Sequence, residues 1–330
     1  FQVVPATTRR EAWVGGARGL APADLAMHVV LPELDGRILA GAISFKEPEA
    51  PDAALGLSLQ ANRPEPDRIA QVARRIAAQL RLQATPPAER RVAILVPDYP
   101  AAAGRAGYAV GLDVPASVIA MLHDLRAAGY AVEDIPATPR ELMRQLGRER
   151  DALPLADYAR LEAGLPEAAR RAVAEAWGRP EADAPGGAFG FRHARFGNVT
   201  VALAPDRGRN ADRRADYHDP ALPPRHALVA FGLWLREALG CHALVHLGAH
   251  GTLEWLPGKT VALTAACFPE VVAGALPVVY PFIVSNPGEA AQAKRRIGAV
   301  TLGHLTPPLV GAGLSEGQRA LERLVDEYAQ

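Results

Sequence analysis

The sequence predicts an α/β fold, doubly wound, with mostly parallel Rossmann-like sheets and a partly helical insertion. Three observations predict it. Short apolar runs read as buried strands at 92–96 (VAILV), 198–203 (NVTVAL), 242–247 (HALVHL), 277–285 (PVVYPFIVS) and 297–302 (IGAVTL). Helical periodicities separate these runs, and glycine-rich or polar turns follow them. Continuous apolar runs mark strands covered on both faces, and alternation with helices places ligands at the strands' carboxyl ends.

The order of elements suggests two units, 1–88 as part of an α/β domain ending in a helix and 89–330 as the Rossmann-like domain with a helical insertion near 148–190. In the first, GRILAGAISF (36–45) suits a strand or a close-packed loop that ends at Lys46, before the Pro48 breaker. Ile69, Val72, Ile76 and Leu80 recur at helical spacing across 67–82, after Pro66 and with Asp67 as a possible N-cap. The prolines of ATPPAER (84–90) break that period and make this stretch the linker.

In the second unit, VAILV, a loop through Gly104, Gly107 and Gly111, a helix after Pro115 and a strand at 130–135 form a βαβ unit, hence parallel strands and a right-handed crossover. Residues 148–185 read as helical, interrupted at Pro154, Pro166 and Pro180. A helix over 226–239 stops at Gly240, and another opening near Gly288 joins the last two strands. Ser315 with Gln318 forms a capping box for a final helix. No internal repeat or low-complexity tail is present.

The 330 residues are 49% hydrophobic and 22% charged, enough to bury a sizeable core. Lys+Arg and Asp+Glu both total 36, so no net field favours nucleic acid or an anionic membrane. Cys241 and Cys267 lack CxxC spacing, which argues against a disulfide scaffold or thiolate zinc site and for a reducing cytoplasm. No apolar run approaches the roughly 20 residues a bilayer span needs, and no signal pattern opens the chain. The start at Phe1, without methionine, suggests a piece of something longer. Only Lys46, Lys259 and Lys294 stand against 33 arginines, which makes the retained lysines candidates for special roles, with chance as the alternative.

The densest segment is HALVHLGAHGTLEWLPGKT (242–260), and it admits three readings. On a helix, His242, His246 and His250 would share a face as zinc ligands. The local pattern favours strand then loop, where His242 and His246 share a face as core or supporting histidines and His250 lies beyond. The Gly258-Lys259-Thr260 tripeptide ends like a phosphate loop, but Leu253 holds the required glycine position and Trp255 and Pro257 replace a nest of amides. The chain is not expected to bind ATP by that device. The third reading pairs His250 with Glu254 in a flexible turn at a strand end, suited to transient metal handling and proton removal, with loop pinning as the alternative.

HLGAHGTLEWLPGK, YPFIVSNPGEAAQAKRR and HLTPPL together resemble the large subunits of cobaltochelatase and its relative magnesium chelatase. LDGRILAGAISFKEP, GLDVPAS, GN before VTVAL, and YHDP with PPRHALVAFGLWLR are similar to successive blocks of that family in the same order. The resemblance spans nearly the whole chain, as a middle portion of a longer family member. EWLPGK and YPFIVSNPGE resemble the cobalt enzyme more than the magnesium one. The chain departs from the family pattern at Ser285 and Asn286, at Ala290 and Ala291, and at 204–206.

The resemblance implies ATP-dependent insertion of cobalt(II), the substrate metal, into hydrogenobyrinic acid a,c-diamide in aerobic cobalamin biosynthesis, with this chain holding ring and metal. It implies AAA+ ATPase partner subunits that use ATP and magnesium, neither bound by this chain, and no nucleic-acid or membrane partner. A flat apolar tetrapyrrole with peripheral carboxylates needs apolar walls and a few placed cations. Lys46, Lys259, Asn286, Lys294, Arg295, Arg296 and Trp255 are the expected substrate contacts, with a solvated helix face as the alternative for 294–296 and core packing for Trp255. His250 and Glu254 are the expected catalytic residues and metal ligands. His218, beside Asp219 in YHDP, is a further expected metal ligand, with a turn role as the alternative. Other functions stay open: a non-catalytic tetrapyrrole-binding or metal-chaperone relative, a magnesium chelatase H-type subunit, or a zinc hydrolase on an α/β frame.

Overall fold

The structure is a computed structural model, and it describes all residues except 53, 55, 97, 99–105, 110–111, 209–218, 249–250, 282–286, 304–314 and 330. The amino-terminal part is built on a three-stranded sheet in the order β1 (Gln2–Arg9), β2 (Leu39–Pro48), β3 (Gln60–Pro64), with β1 and β2 parallel and β3 antiparallel. The opening octet carried no expected element. It forms β1 because Val4, Ala6 and Thr8 alternate inward, a period of two that Pro5 interrupts without breaking. The expected strand near 36–45 is β2.

The helix Pro66–Ala84 packs on β2, but its buried face is not the stripe read from the sequence. Ile69 and Leu80 are exposed, whereas Arg68, Val72 and Ala78 are buried. Arginine chemistry decides the orientation. Arg68 Nη1 donates to the Leu263 carbonyl at 3.0 Å, and Arg75 pairs with Glu270 at 2.7 Å, so the inward face anchors to the second part of the chain. Asp67 is not the N-cap. Glu65 stands there without a side-chain cap bond, Pro66 takes the first helical position, and Asp67 pairs with Arg68.

The rest of the chain forms a mixed α/β unit on a seven-stranded, parallel-rich sheet. Its strands are β4 (Val92–Val96), β7 (Glu149–Pro154), β8 (Ala188–Phe196), β9 (Val199–Leu203), β10 (Ala243–His246), β11 (Val278–Pro281) and β12 (Val300–Leu302), while β5 (Tyr108–Ala109) and β6 (Leu112–Asp113) make a separate small hairpin. The order is β12-β11-β10-β4-β9-β8-β7, parallel from β12 to β9, with β8 and β7 added antiparallel. All five residues of β4 and of β9 are buried. Helices cover both faces: Val114–Ala127 and Pro139–Leu146 pack on Ile94 and Val201, and His226–Leu233, Phe268–Ala273 and Pro287–Ile297 pack on Leu95 and Leu244.

Two expectations differ from this sheet. Residues 130–135 form no strand. The positions beside β4 are taken by β9 and β10, whose apolar runs are buried on both faces, and the 130–135 segment instead meets the β8–β9 turn, where Asn198 N donates to the Ala131 carbonyl. Within 148–185 the helices Leu155–Glu162 and Glu167–Trp177 are present, but the segment opens with β7, which pairs with β8 and widens the sheet. The capping box at Ser315 and Gln318 forms in both directions. Among the described residues no helix is long and apolar enough to cross a membrane.

Because β9 lies on one side of β4 and β10 on the other, the chain crosses the sheet between them. The carboxyl ends of these parallel strands face one side of the molecule, the place where open α/β sheets hold ligands.

Candidate functional site

β10 ends in His246, whose side chain is buried and whose ring lies 4.3 Å, centroid to centroid, from Tyr280 of β11. Burial pushes the His246 imidazole down to about 4, so it is neutral near pH 7, and its Nδ1 has no hydrogen-bond partner among the described residues. His242, four residues earlier, accepts from the Arg91 amide at 2.9 Å. Burial, with help from Arg81, Arg91 and Arg90, holds its imidazole below the usual range.

After β10 the chain makes a single 3-10 turn, Leu253–Trp255, which buries Leu253 and Glu254 and leaves Trp255 39% exposed. Glu254 is 0% exposed. Burial pushes its carboxyl up to about 7. The charge of Glu289 adds to the shift, while the amides of Glu254 and Gly251 and the Tyr280 hydroxyl oppose it. Those groups face the carboxyl, yet neither oxygen closes a hydrogen bond of regular geometry among the described residues. Gly251 completes the arrangement. A Cβ placed there would lie 2.6 and 2.8 Å from the two Glu254 oxygens and 2.9 Å from His246 Nε2, so carboxyl, imidazole and backbone converge on one point.

The turn that carries Glu254 is held from several directions. Arg296 donates to the carbonyls of Glu254, Leu256 and Lys259, and Arg207 to that of Trp255. The Trp255 indole donates to the Glu289 carboxylate on the helix Pro287–Ile297. Lys259 is 9% exposed; its Nζ donates to the carbonyls of Val14 at 3.2 Å and Gly16 at 2.6 Å and lies 5.8 Å over the Trp13 ring. Burial lowers its ammonium below the ordinary range. The Gly258-Lys259-Thr260 tripeptide therefore sits against the amino-terminal part, where Thr260 N also donates to the Ala17 carbonyl.

The other expected residues fall in different places. Arg295 forms a two-pronged pair with Glu33, at 3.1 and 2.9 Å. Lys294 lines a cavity of about 280 Å³ with Glu33 and Arg37, and Lys46 lines one of about 670 Å³ with Arg9, Arg10 and Glu47. His218, His250 and Asn286 lie outside the described residues. Among those described, no three His, Cys, Asp or Glu side chains are placed to share a metal ion. His246, Tyr280 and Arg207 join Glu254 without having been singled out for its site. A signal for Tyr280 was present, since a parallel register that sets HALVH beside PVVYP brings the two rings together.

A chemical reading follows from this geometry. A buried carboxyl balanced between its two protonation forms near neutral pH, beside an uncharged imidazole, is equipped to exchange a proton with a group brought to the strand ends.

Comparison with known proteins agrees with the location. The description of the CobN/Magnesium Chelatase family matches residues 1–330. The aerobic cobaltochelatase subunit CobN of Sinorhizobium sp is 44% identical over 99% of this chain and 27% of its own length. The large chain of magnesium chelatase from Rhodobacter capsulatus, its H component, is 34% identical over 92% of this chain and 27% of its own length. A solved structure described as the catalytic subunit of cobaltochelatase from Mycobacterium tuberculosis matches with a TM-score of 0.81 and 38% identity, covering 98% of this chain and 28% of that one. The chain thus spans little more than a quarter of the length of each of these relatives.

Proposed function

The chain belongs to the CobN/magnesium chelatase family, and from that premise we propose that it forms the ring- and metal-handling core of a cobaltochelatase large subunit. The reaction is insertion of cobalt(II) into hydrogenobyrinic acid a,c-diamide, driven by ATP that separate AAA+ partners hydrolyse in the cytoplasm. The sheet reads as doubly wound and Rossmann-like, with the ring at the carboxyl ends of β4, β9 and β10. Identity to the cobalt relative at 44%, against 34% to the magnesium relative, supports cobalt.

The observation that carries the reading is the wholly buried Glu254 carboxyl beside neutral His246 at the end of β10. Insertion of a divalent metal displaces two pyrrolic protons from the ring, so the site needs a base and a temporary ligand for the incoming ion. A carboxyl poised near 7 takes up one such proton readily, and a carboxylate is a ligand that lets cobalt go. His250, four residues before Glu254, is assigned from the sequence as its partner. Lys46 and Lys294, each at the wall of a cavity, remain candidates for the peripheral carboxylates.

The test is to titrate the full-length subunit with the ring and follow its absorbance, then to add the ATPase partners with cobalt(II) or magnesium. Saturable ring binding with cobalt incorporated in preference to magnesium is expected. Preferential magnesium incorporation would replace this reading with the magnesium one.

A further inference from the structure

We propose that Arg296, seconded by Arg207, is the positioning residue of the site: two buried guanidinium groups hold the carbonyls of the 254–259 turn and so fix where the Glu254 carboxyl stands. The proposal deepens the chelatase reading of Glu254 and rests on it.

Arg296 is 6% exposed and comes from the helix Pro287–Ile297. Its Nη1 donates to the Glu254 carbonyl, its Nη2 to that of Leu256 at 2.8 Å and its Nε to that of Lys259 at 3.1 Å. Arg207 is 3% exposed and follows β9; its Nη1 donates to the Trp255 carbonyl at 3.3 Å, and its Nη2 to the carbonyls of Asp219 and Leu222. Carbonyls 254, 255, 256 and 259 are therefore each held by a guanidinium. The segments that follow β9, β10 and β11 meet at this clamp.

A carbonyl of a tight turn points outward and normally finds water or a neighbouring amide. Here the turn is buried, and its outward carbonyls need donors that diverge in one plane from a single side chain. The guanidinium fork provides them, whereas an ammonium is a single point with no fixed plane. None of these acceptors is a carboxylate, so neither arginine is neutralised through these bonds, and burying such a charge is costly. Burial indeed lowers the Arg296 guanidinium below its ordinary value. An apolar plug would fill the space at lower cost but would leave the turn free to rotate. The clamp sets the direction in which Glu254 leaves the backbone.

The sequence alone pointed to Arg296 as an anchor for a ring carboxylate. Its burial and its three carbonyl partners support the positioning role instead.

The experiment compares wild type, Arg296→Lys, Arg207→Lys and Glu254→Gln in the full-length subunit assembled with its ATPase partners. It reads kcat and KM for the ring in cobalt insertion, and amide hydrogen exchange. Arg296→Lys is expected to lose about 100-fold in kcat with KM changed by no more than about twofold, the pattern of a misplaced reacting group. Exchange at 253–259 should quicken while β4 and β10 stay protected. Arg207→Lys, which gives up one carbonyl of the turn, should show the same pattern to a smaller degree, and it decides the matter if Arg296→Lys does not fold. Unchanged kcat in Arg296→Lys, or in Arg207→Lys where that variant decides, would overturn the proposal. Exchange that quickens throughout β4 and β10 would overturn it too, as a general core role. Full activity in Glu254→Gln would remove the glutamate from the chemistry whatever the arginine variants do, which keeps the two failures apart.

Discussion

The ring of Tyr280 rests 4.3 Å from the ring of His246, centroid to centroid, and strand register puts it there. β10 and β11 run parallel with Leu244 beside Val278 and Val245 beside Val279, so the next pair along is His246 and Tyr280. Both rings are buried and wall the space next to Glu254. Because burial keeps the imidazole neutral, this wall offers the carboxyl no positive charge.

The first consequence is a stability that falls as pH rises. Folding raises the Glu254 carboxyl from an ordinary value of 4.5 to about 7. Below 4.5 the group is protonated in both folded and unfolded chains and carries no penalty. Between 4.5 and 7 the unfolded chain ionises while the folded one holds its proton, and above 7 the penalty is complete. Glu254→Gln, which mimics the protonated form, should exceed wild type by up to about 3 kcal/mol at pH 8. Thermal unfolding of both forms should show that advantage vanishing toward pH 4.5. An advantage that grows as pH falls would contradict the assignment.

Gly251 should tolerate no side chain. An added Cβ would come within 3 Å of the Glu254 oxygens and of His246 Nε2, so Gly251→Ala must displace one of the two. Cobalt insertion should fall by about 100-fold, as expected for reacting groups shifted by an ångström. Circular dichroism of the variant should keep the α/β signature. Undiminished insertion would mean that the convergence of these groups is irrelevant to the reaction.

Much of the sheet could be read before the structure. The runs at β4, β9, β10, β11 and β12 are continuous and apolar because those strands are covered or flanked by helices, and that pattern is visible in one dimension. The segment at 130–135 has a comparable look but loses the place beside β4, since only the assembled sheet decides which run is enclosed. Arg68 and Arg296 were hardest to place. A buried arginine has no local signature, because the carbonyls that accept from it are more than 35 residues away in sequence. Glu254 was legible as a candidate, whereas its isolation from regular hydrogen bonds depends on neighbours contributed by β11 and the following helix.

Lys259 separates an anchoring role from a structural one. Its ammonium donates to the Val14 and Gly16 carbonyls, joining the Glu254 loop to the amino-terminal part. Lys259→Met leaves both acceptors buried and should cost about 2 kcal/mol of stability, the range for hydrogen bonds to a charged group. Ring affinity, followed by absorbance, should be unchanged. Weakened ring binding at undiminished stability would return Lys259 to the substrate contacts.

The central claim is that Glu254 carries out chemistry and does not merely hold the ring. Cobalt insertion by the complete complex, measured beside ring affinity in the same Glu254→Gln preparation, tests it most directly. The account predicts that insertion falls to a small residue of the wild-type rate while the ring binds as tightly as before. Wild-type insertion, or a loss of ring binding in step with a loss of insertion, would contradict it.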